Sequence, residues 1–346
     1  MDKKFLILLF SLLAFAGCVN DMPYTPRDTK PELVMNALIK AGCDSNEVWV
    51  GVSKPGCVDT LTGDASIHCH INGHMGVVAT EMPGQQRLRR FVFSAPLDPG
   101  DELLLELLVE KKRDGQTESK KATATVLVPT APELGDIDTL TVGDSTSRQL
   151  AFRIKMTDKT PGADYYSLAI TCTSEIELYR EGVLLGTEQF VRRCPLDTGD
   201  DLILSEDGIA AANMDSMFDI RTPNYYGAFF DSQFDCASVT LRPKVDKWQL
   251  NSWYLTGFVP YDSCYVRPTL KVELSHIDVR HYYYLKALNS LEGGASDLVL
   301  EDVAIPSNVE GGIGFVGVSN SVSQEFSLPS YYGLVTYDDD PYEELP

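Results

Sequence analysis

The sequence predicts an all-β protein of two immunoglobulin-like β-sandwich domains, the second elaborated with short helices. Three observations point there. Apolar residues alternate with polar ones in short runs rich in β-branched, Leu and aromatic side chains, each bounded by Gly, Asp or Asn, which is the period of a half-buried strand. A length of 346 residues exceeds one ordinary domain and suits two. The stretch Thr130-Ala131-Pro132-Glu133 separates two sets of such runs, because a Pro denies a sheet ladder a donor. With 44% apolar and 10% aromatic residues the chain can fill proper cores. Its 29 basic and 50 acidic residues leave a net charge of −21, which repels phosphates and excludes nucleic acid as a main partner.

Taken in order, residues 1–17 carry Lys3 and Lys4, then an apolar run from Phe5 to Ala16 broken by Ser11. That is the build of a signal peptide, too short to span a membrane as a mature helix. Ala16-Gly17-Cys18 resembles a lipobox, which directs a diacylglycerol onto the cysteine sulfur before cleavage, although Phe15 stands where Leu, Val or Ile is usual. Cys18 is the expected lipidation site and first mature residue. No other run reaches 18 apolar residues, so lipid is the expected anchor. Cleavage removes Lys3, Lys4 and Asp2 and leaves 27 basic against 49 acidic residues. Residues 18–32, with Pro23, Pro26 and Pro31, form an extended flexible tether.

Residues 33–129 make the N-terminal sandwich, with strands expected at 47–52, 90–93, 103–109 and 122–128. Residues 130–333 make the C-terminal β-rich domain, opening with strands at 149–156 and 165–170 around an Asp- and Pro-containing turn. An insertion at 197–235 holds an acidic loop, a short helix over 205–217 and an aromatic run. Strands return at 253–259 and 269–274. A helix over 278–289 follows, with Asp278 as its cap and Tyr282, Leu285 and Leu288 facing the core. Residues 334–346 are an acidic tail.

Five histidines offer little chemistry, and neither a Gly-x-Ser-x-Gly elbow nor a His-Glu-x-x-His pair is present. No catalytic residue and no cofactor is expected. His68, His70 and His74 have a spacing that could gather imidazoles at the turn Asn72-Gly73, but a polar strand face accounts for them as well. Cys69 between them alternates to the other face and belongs in the core. Beyond Cys18 seven cysteines remain, so at most three bridges form. Connectivity is not fixed by the sequence. Cys43 with Cys57, Cys172 with Cys194, and Cys236 with Cys264 would each close a local loop. Tyr225, Tyr226, Phe229 and Phe230 sit among Gly, Asn and Pro, where an exposed patch would suit a partner or glycan and a buried one would be core packing. The run Gly311-Gly312-x-Gly314-x-x-Gly317 lacks the Lys of a phosphate loop and fits tight turns and close strand packing.

Four segments carry a resemblance: 152–166, with a strand, an Asp-containing turn and Tyr165-Tyr166; Phe230-Asp231-Ser232-Gln233-Phe234; His276-Ile277-Asp278 through Leu288; and 306–317. Together with the lipobox opening, they resemble the Bacteroidetes outer-membrane lipoproteins grouped as domain of unknown function family 4249. The resemblance implies two β-rich domains, an outer-membrane lipid anchor facing the cell surface, and association with a TonB-dependent transporter. It implies no reaction. The expected role is an accessory lipoprotein that binds a small-molecule, peptide or glycan ligand; an adhesin or structural envelope protein is the alternative, and an extracytoplasmic hydrolase a weaker one. Asp59-Thr60-Leu61, Asp138-Thr139-Leu140, Asp144-Ser145-Thr146 and Asp215-Ser216-Met217 also resemble the O-glycosylation acceptors of that phylum's exported proteins.

Overall fold

A computed structural model of the chain describes residues 30–54, 57–84, 87–113, 116–143, 148–205, 224–232, 234–247, 261–292 and 305–334. Cys18, the signal peptide, most of the tether, the helix expected over 205–217 beyond its first residue, the strand expected at 253–259 and the tail from residue 335 lie outside these. The protein is all-β, with one helix among the described elements.

The N-terminal stretch supplies nine strands: β1 (Leu33–Lys40), β2 (Asn46–Lys54), β3 (Cys57–Asp59), β4 (Asp64–Ile71), β5 (His74–Val78), β6 (Thr80–Met82), β7 (Arg89–Phe93), β8 (Glu102–Arg113) and β9 (Gln116–Leu127). Strands β5-β4-β8-β9 form one antiparallel sheet. Its inner face carries Ile67, Cys69, Leu103, Leu105, Leu107, Ala122 and Ala124, packed on Met35, Ile39, Val48, Val50 and Phe91 of β1, β2 and β7. Strict alternation makes this burial possible, since every second side chain of each strand faces the same layer.

After Pro129 follow β10 (Glu133–Val142), β11 (Gln149–Thr157), β12 (Tyr165–Arg180), β13 (Val183–Cys194), β14 (Ala228–Phe230), β15 (Ser238–Leu241), β16 (Lys244–Asp246), β17 (Ser263–Ile277), helix α1 (Val279–Glu292), β18 (Gly312–Ile313), β19 (Val316–Ser327) and β20 (Tyr331–Leu334). A twelve-stranded sheet runs in the order β13-β12-β17-β19-β1-β2-β7-β6, with β3, β14, β18 and β20 paired off this path. A second core lies between its β12-β17 region and the β10-β11-β15 sheet, around Phe152, Ile154, Leu168, Ile170, Leu241, Val272 and Leu274. Each half thus has its own core, while one sheet passes through both.

The seam is a parallel pairing. β1 runs beside β18 and β19, with Leu33 opposite Gly312 and Ala37 opposite Val316. The glycines of the 311–317 run make this approach possible. Gly314 has φ +120°, and a Cβ there would lie 2.2 Å from the Met35 carbonyl oxygen; no L side chain fits that backbone or that gap. The stretch after Pro129 is docked onto β17 and β19. Asn320 Nδ2 donates to the Pro129 carbonyl at 3.0 Å, and His276 Nδ1 donates to that of Thr130 at 2.9 Å.

Helix α1 starts where the sequence places it. The Asp278 carboxylate accepts the His281 N–H at 2.7 Å, capping the first turn. Tyr282 and Leu285 are buried against Ala228 and Ile277.

Candidate functional site

Three of the segments that carry the family resemblance, 152–166, 230–234 and the one opening at His276, converge in space. The chain leaves β11 at Thr157, turns through residues 158–164 and enters β12 at Tyr165-Tyr166, beside β14 on one edge and the end of β17 on the other. Three carboxylates meet there. One oxygen each from Asp158, Asp164 and Asp231 lie within 4.8 Å of one another, and Asp158 and Asp231 are each only 2% exposed.

Each is held by its own loop. Asp158 Oδ1 accepts from the Tyr166 hydroxyl at 3.1 Å and the Thr160 N–H at 3.2 Å, and Oδ2 accepts from the Cys236 N–H at 2.9 Å. Cys236 adopts φ +54° to aim that N–H inward. Asp164 accepts from the Thr160 hydroxyl and lies 3.3 Å from His276 Nε2, whose ring is oriented by Thr130. The Asp231 N–H donates to the Asp164 carbonyl at 3.2 Å. Its side-chain Oδ2 is buried and without a hydrogen-bond partner.

The electrostatics follow this division. Burial opposes ionisation of Asp158, yet the Cys236 and Thr160 N–H groups and the Tyr166 hydroxyl outweigh it and hold the carboxyl below the usual range. Burial and the charges of Asp158 and Asp164 push the Asp231 carboxyl up instead. Aromatic rings pack beside the cluster: Tyr166 stacks on Phe229 at 5.5 Å and meets His276 at 5.1 Å. Desolvation and the neighbouring Asp235 raise the Cys236 thiol, which makes it a poor nucleophile. The arrangement suits holding a proton or a hard cation.

A second concavity, an open groove of about 500 Å³, lies along β1 and is lined by residues including Asn36, Lys40, Trp49, Tyr284 and Phe315. Tyr284 and Phe315 are stacked there, 4.2 Å apart and 7° from parallel.

The residues singled out by sequence fare differently. The exposed aromatic patch is corrected: Phe229 is 1% exposed and pairs as part of β14 with Tyr166, while Phe230 packs on Tyr165 and Tyr282. Tyr225 and Tyr226 are half-buried, and the Tyr226 N–H is bound by Asn289 at 3.0 Å. Strand pairing with β12 turned what looked like a loop into core.

His68 and His70 share one face of β4, with Glu106 opposite His68. His74 pairs with Ile71 on the other face, so the three do not gather into one site. Cys69 is fully buried, as alternation requires, and burial pushes its thiol up to about 12.

Two of the cysteine pairings are corrected. Cys43 follows β1 beside the start of β2, whereas Cys57 pairs with Lys54 at the far end of that strand, about 25 Å away at the rise of a β-strand. Cys236 touches Asp158 near the start of β12, whereas Cys264 pairs with Leu178 twelve residues further along, about 40 Å distant. Cys172 and Cys194 come nearest: both are buried, and Cys194 pairs with Ile170, one diagonal step from Cys172. Diagonal neighbours are about 7–8 Å apart, more than a bridge spans without backbone movement, and the two are not bridged, so this pairing is corrected as well.

The 197–201 loop is committed to structure. Asp201 caps the following turn through the N–H groups of Ile203 and Leu204, and Asp200 pairs with Lys244. The carboxylate cluster was not foreseen; the signal in the sequence was that the segments carrying the resemblance contain Asp158, Asp164 and Asp231.

The fold thus defines an all-β protein with a buried carboxylate cluster where its two edge loops meet. The model of the family described as Domain of unknown function (DUF4249) matches residues 19–325. The chain belongs to that family. None of the curated proteins matches it. A solved structure of a DUF4785 family protein from Legionella pneumophila is similar at 10% identity over 69% of this chain, with a TM-score of 0.25. The chain spans about half of that structure, 52%, and the likeness sets neither fold detail nor function.

Proposed function

We propose that the protein is an outer-membrane-anchored lipoprotein with immunoglobulin-like modules that acts by binding rather than by chemistry, as a cell-surface accessory of a TonB-dependent nutrient transporter. The observation that carries this reading is Ala16-Gly17-Cys18 after an apolar run, 15 residues before β1 begins at Leu33. A lipid on Cys18 would lie 15 residues ahead of β1, a strand inside the large sheet. The groove along that same strand, with Trp49 and the stacked Tyr284 and Phe315 in its wall, offers flat rings and amide groups of the kind that take small polar ligands.

The test is membrane fractionation with co-purification. The native protein is expected in outer membranes together with a transporter barrel, and Cys18→Ser is expected in the soluble fraction. Retention of Cys18→Ser in the membrane would remove the anchor from this reading, and purification without any barrel would remove the transporter role.

A further inference from the structure

We propose that Asp158, Asp164 and Asp231 form a calcium site that pins the turn between β11 and β12 to the segment following β14. The three residues come from separate stretches, two flanking the turn and one 67 positions beyond Asp164, yet their oxygens lie within 4.8 Å of one another.

Hydrogen bonding accounts for two of these carboxylates and leaves the third. Asp158 has donors on both oxygens, and Asp164 has the Thr160 hydroxyl and His276. Asp231 is 98% buried, given its 2% exposure, and its Oδ2 has no partner. Leaving such an oxygen unmatched beside two other carboxylates is costly. Among the described residues, the basic side chain paired with the trio is His276, which reaches Asp164 alone. A divalent cation held between the three carboxylates would place a counter-charge beside that unpartnered atom and offset the like charges together.

The donors select the ion. An all-oxygen set with one carboxylate fixed by backbone N–H groups suits Ca²⁺, which accepts irregular geometry, better than Mg²⁺, which demands a tight octahedron and keeps its water. Zinc favours nitrogen and sulfur donors. The thiol that could draw zinc, Cys236, groups with Asp158 and Asp235 and not with Asp164 and Asp231. Asp164 is half-buried and Asp235 exposed, so an ion can enter from solvent.

The purified full chain, stripped with EDTA and returned to metal-free buffer, is titrated with CaCl₂ by calorimetry, with MgCl₂ and ZnCl₂ run alongside, and its thermal unfolding is followed. One Ca²⁺ per chain is expected at this site with Kd at or below about 1 mM, as in extracellular calcium modules. Saturation should raise Tm by about 3–8 °C, with Mg²⁺ giving a smaller rise at equal concentration. Asp231→Asn should abolish this response while leaving Tm in EDTA equal to or above that of the unaltered chain, because the amide removes the unmatched charge. Should Asp231→Asn fold poorly, Asp164→Asn, at the more exposed corner, is expected to lose the response too. The proposal fails if Ca²⁺ up to 10 mM (about ten times that Kd) gives neither heat nor a Tm change, if zinc binds in its place, or if the Asp variant that folds keeps the full response.

Discussion

Replacing Phe229 with Ala separates a packed core from a binding patch. Phe229 is 1% exposed, stacks on Tyr166 at 5.5 Å and meets Phe234 at 6.4 Å. Truncation leaves a cavity the size of a phenyl ring and removes two ring contacts, for which about 3–5 kcal/mol is the ordinary range. In a chain of this size each kcal/mol moves Tm by about 2–4 °C. Phe229→Ala should therefore lower Tm by about 6–20 °C and blur the near-ultraviolet dichroism, since Tyr166 loses its stacking partner. Leu140, 63% exposed, is the control: Leu140→Ala should stay within about 0.5 kcal/mol. Differential scanning calorimetry reads both. A Tm loss below about 2 °C for Phe229→Ala would mean that the β14 ring is not core and would restore the exposed-patch reading.

Three further outcomes follow from the same geometry. Alkylation of the folded, reduced protein at pH 8 should label the exposed Cys43 and Cys57 first, the exposed Cys236 more slowly because desolvation and Asp235 raise its thiol, and spare Cys69, whose thiol is pushed up to about 12 by burial; peptide mapping without reduction should find neither Cys43–Cys57 nor Cys236–Cys264. His281 is buried, and burial lowers its affinity for a proton despite Asp278. The unfolded chain therefore takes up a proton below about pH 6.5 that the folded chain refuses, so stability should fall by up to about 1.4 kcal/mol per pH unit below that point; His281→Gln, measured by denaturant unfolding at pH 7.5 and 5.5, should flatten that slope, and an unchanged slope would refute it. Gly314→Ala should cost about 3–5 kcal/mol from strain and a backbone clash, whereas Gly84→Ala, with open space around it, should cost little; equal melting curves for the two variants would contradict the packing described at the seam.

Much of the fold was legible because burial writes itself into alternation. The strands at 47–52, 90–93, 103–109 and 149–156 all fall inside β2, β7, β8 and β11, and the buried Cys69 between two outward histidines follows from period two alone. The Asp278 cap and helix α1 were readable for the same local reason. What escaped was polar or non-local. β10, at a sheet edge, is mostly exposed and carries Glu133, Asp136 and Asp138, so it resembles a linker. β19 is central yet rich in Ser and Asn, because its neighbours β1 and β17 come from opposite ends of the chain and no local period records them. The carboxylate cluster has no spacing signature, since Asp231 lies 67 positions beyond Asp164, and the aromatic run beside it stayed open between patch and core because a three-residue strand looks like a loop until its partner is known.

The parallel seam has a bearing on how the molecule comes into being. Leu33 waits for Gly312, which lies 279 positions later. At about 5–20 residues per second of synthesis, that wait lasts roughly 14–56 s. Throughout it, the β1 edge offers unpaired backbone groups and the apolar face of Met35, Ala37 and Ile39 to any other chain nearby. A nascent copy is thus most vulnerable at its oldest end. Truncations that stop short of Val316 should leave the first half sticky even though all nine of its own strands are present, and a chaperone or the export machinery that holds residues 33–40 extended until the last strands arrive would decide the yield. Strands β18 and β19, within the last tenth or so of the polypeptide, work as a latch for its first strand.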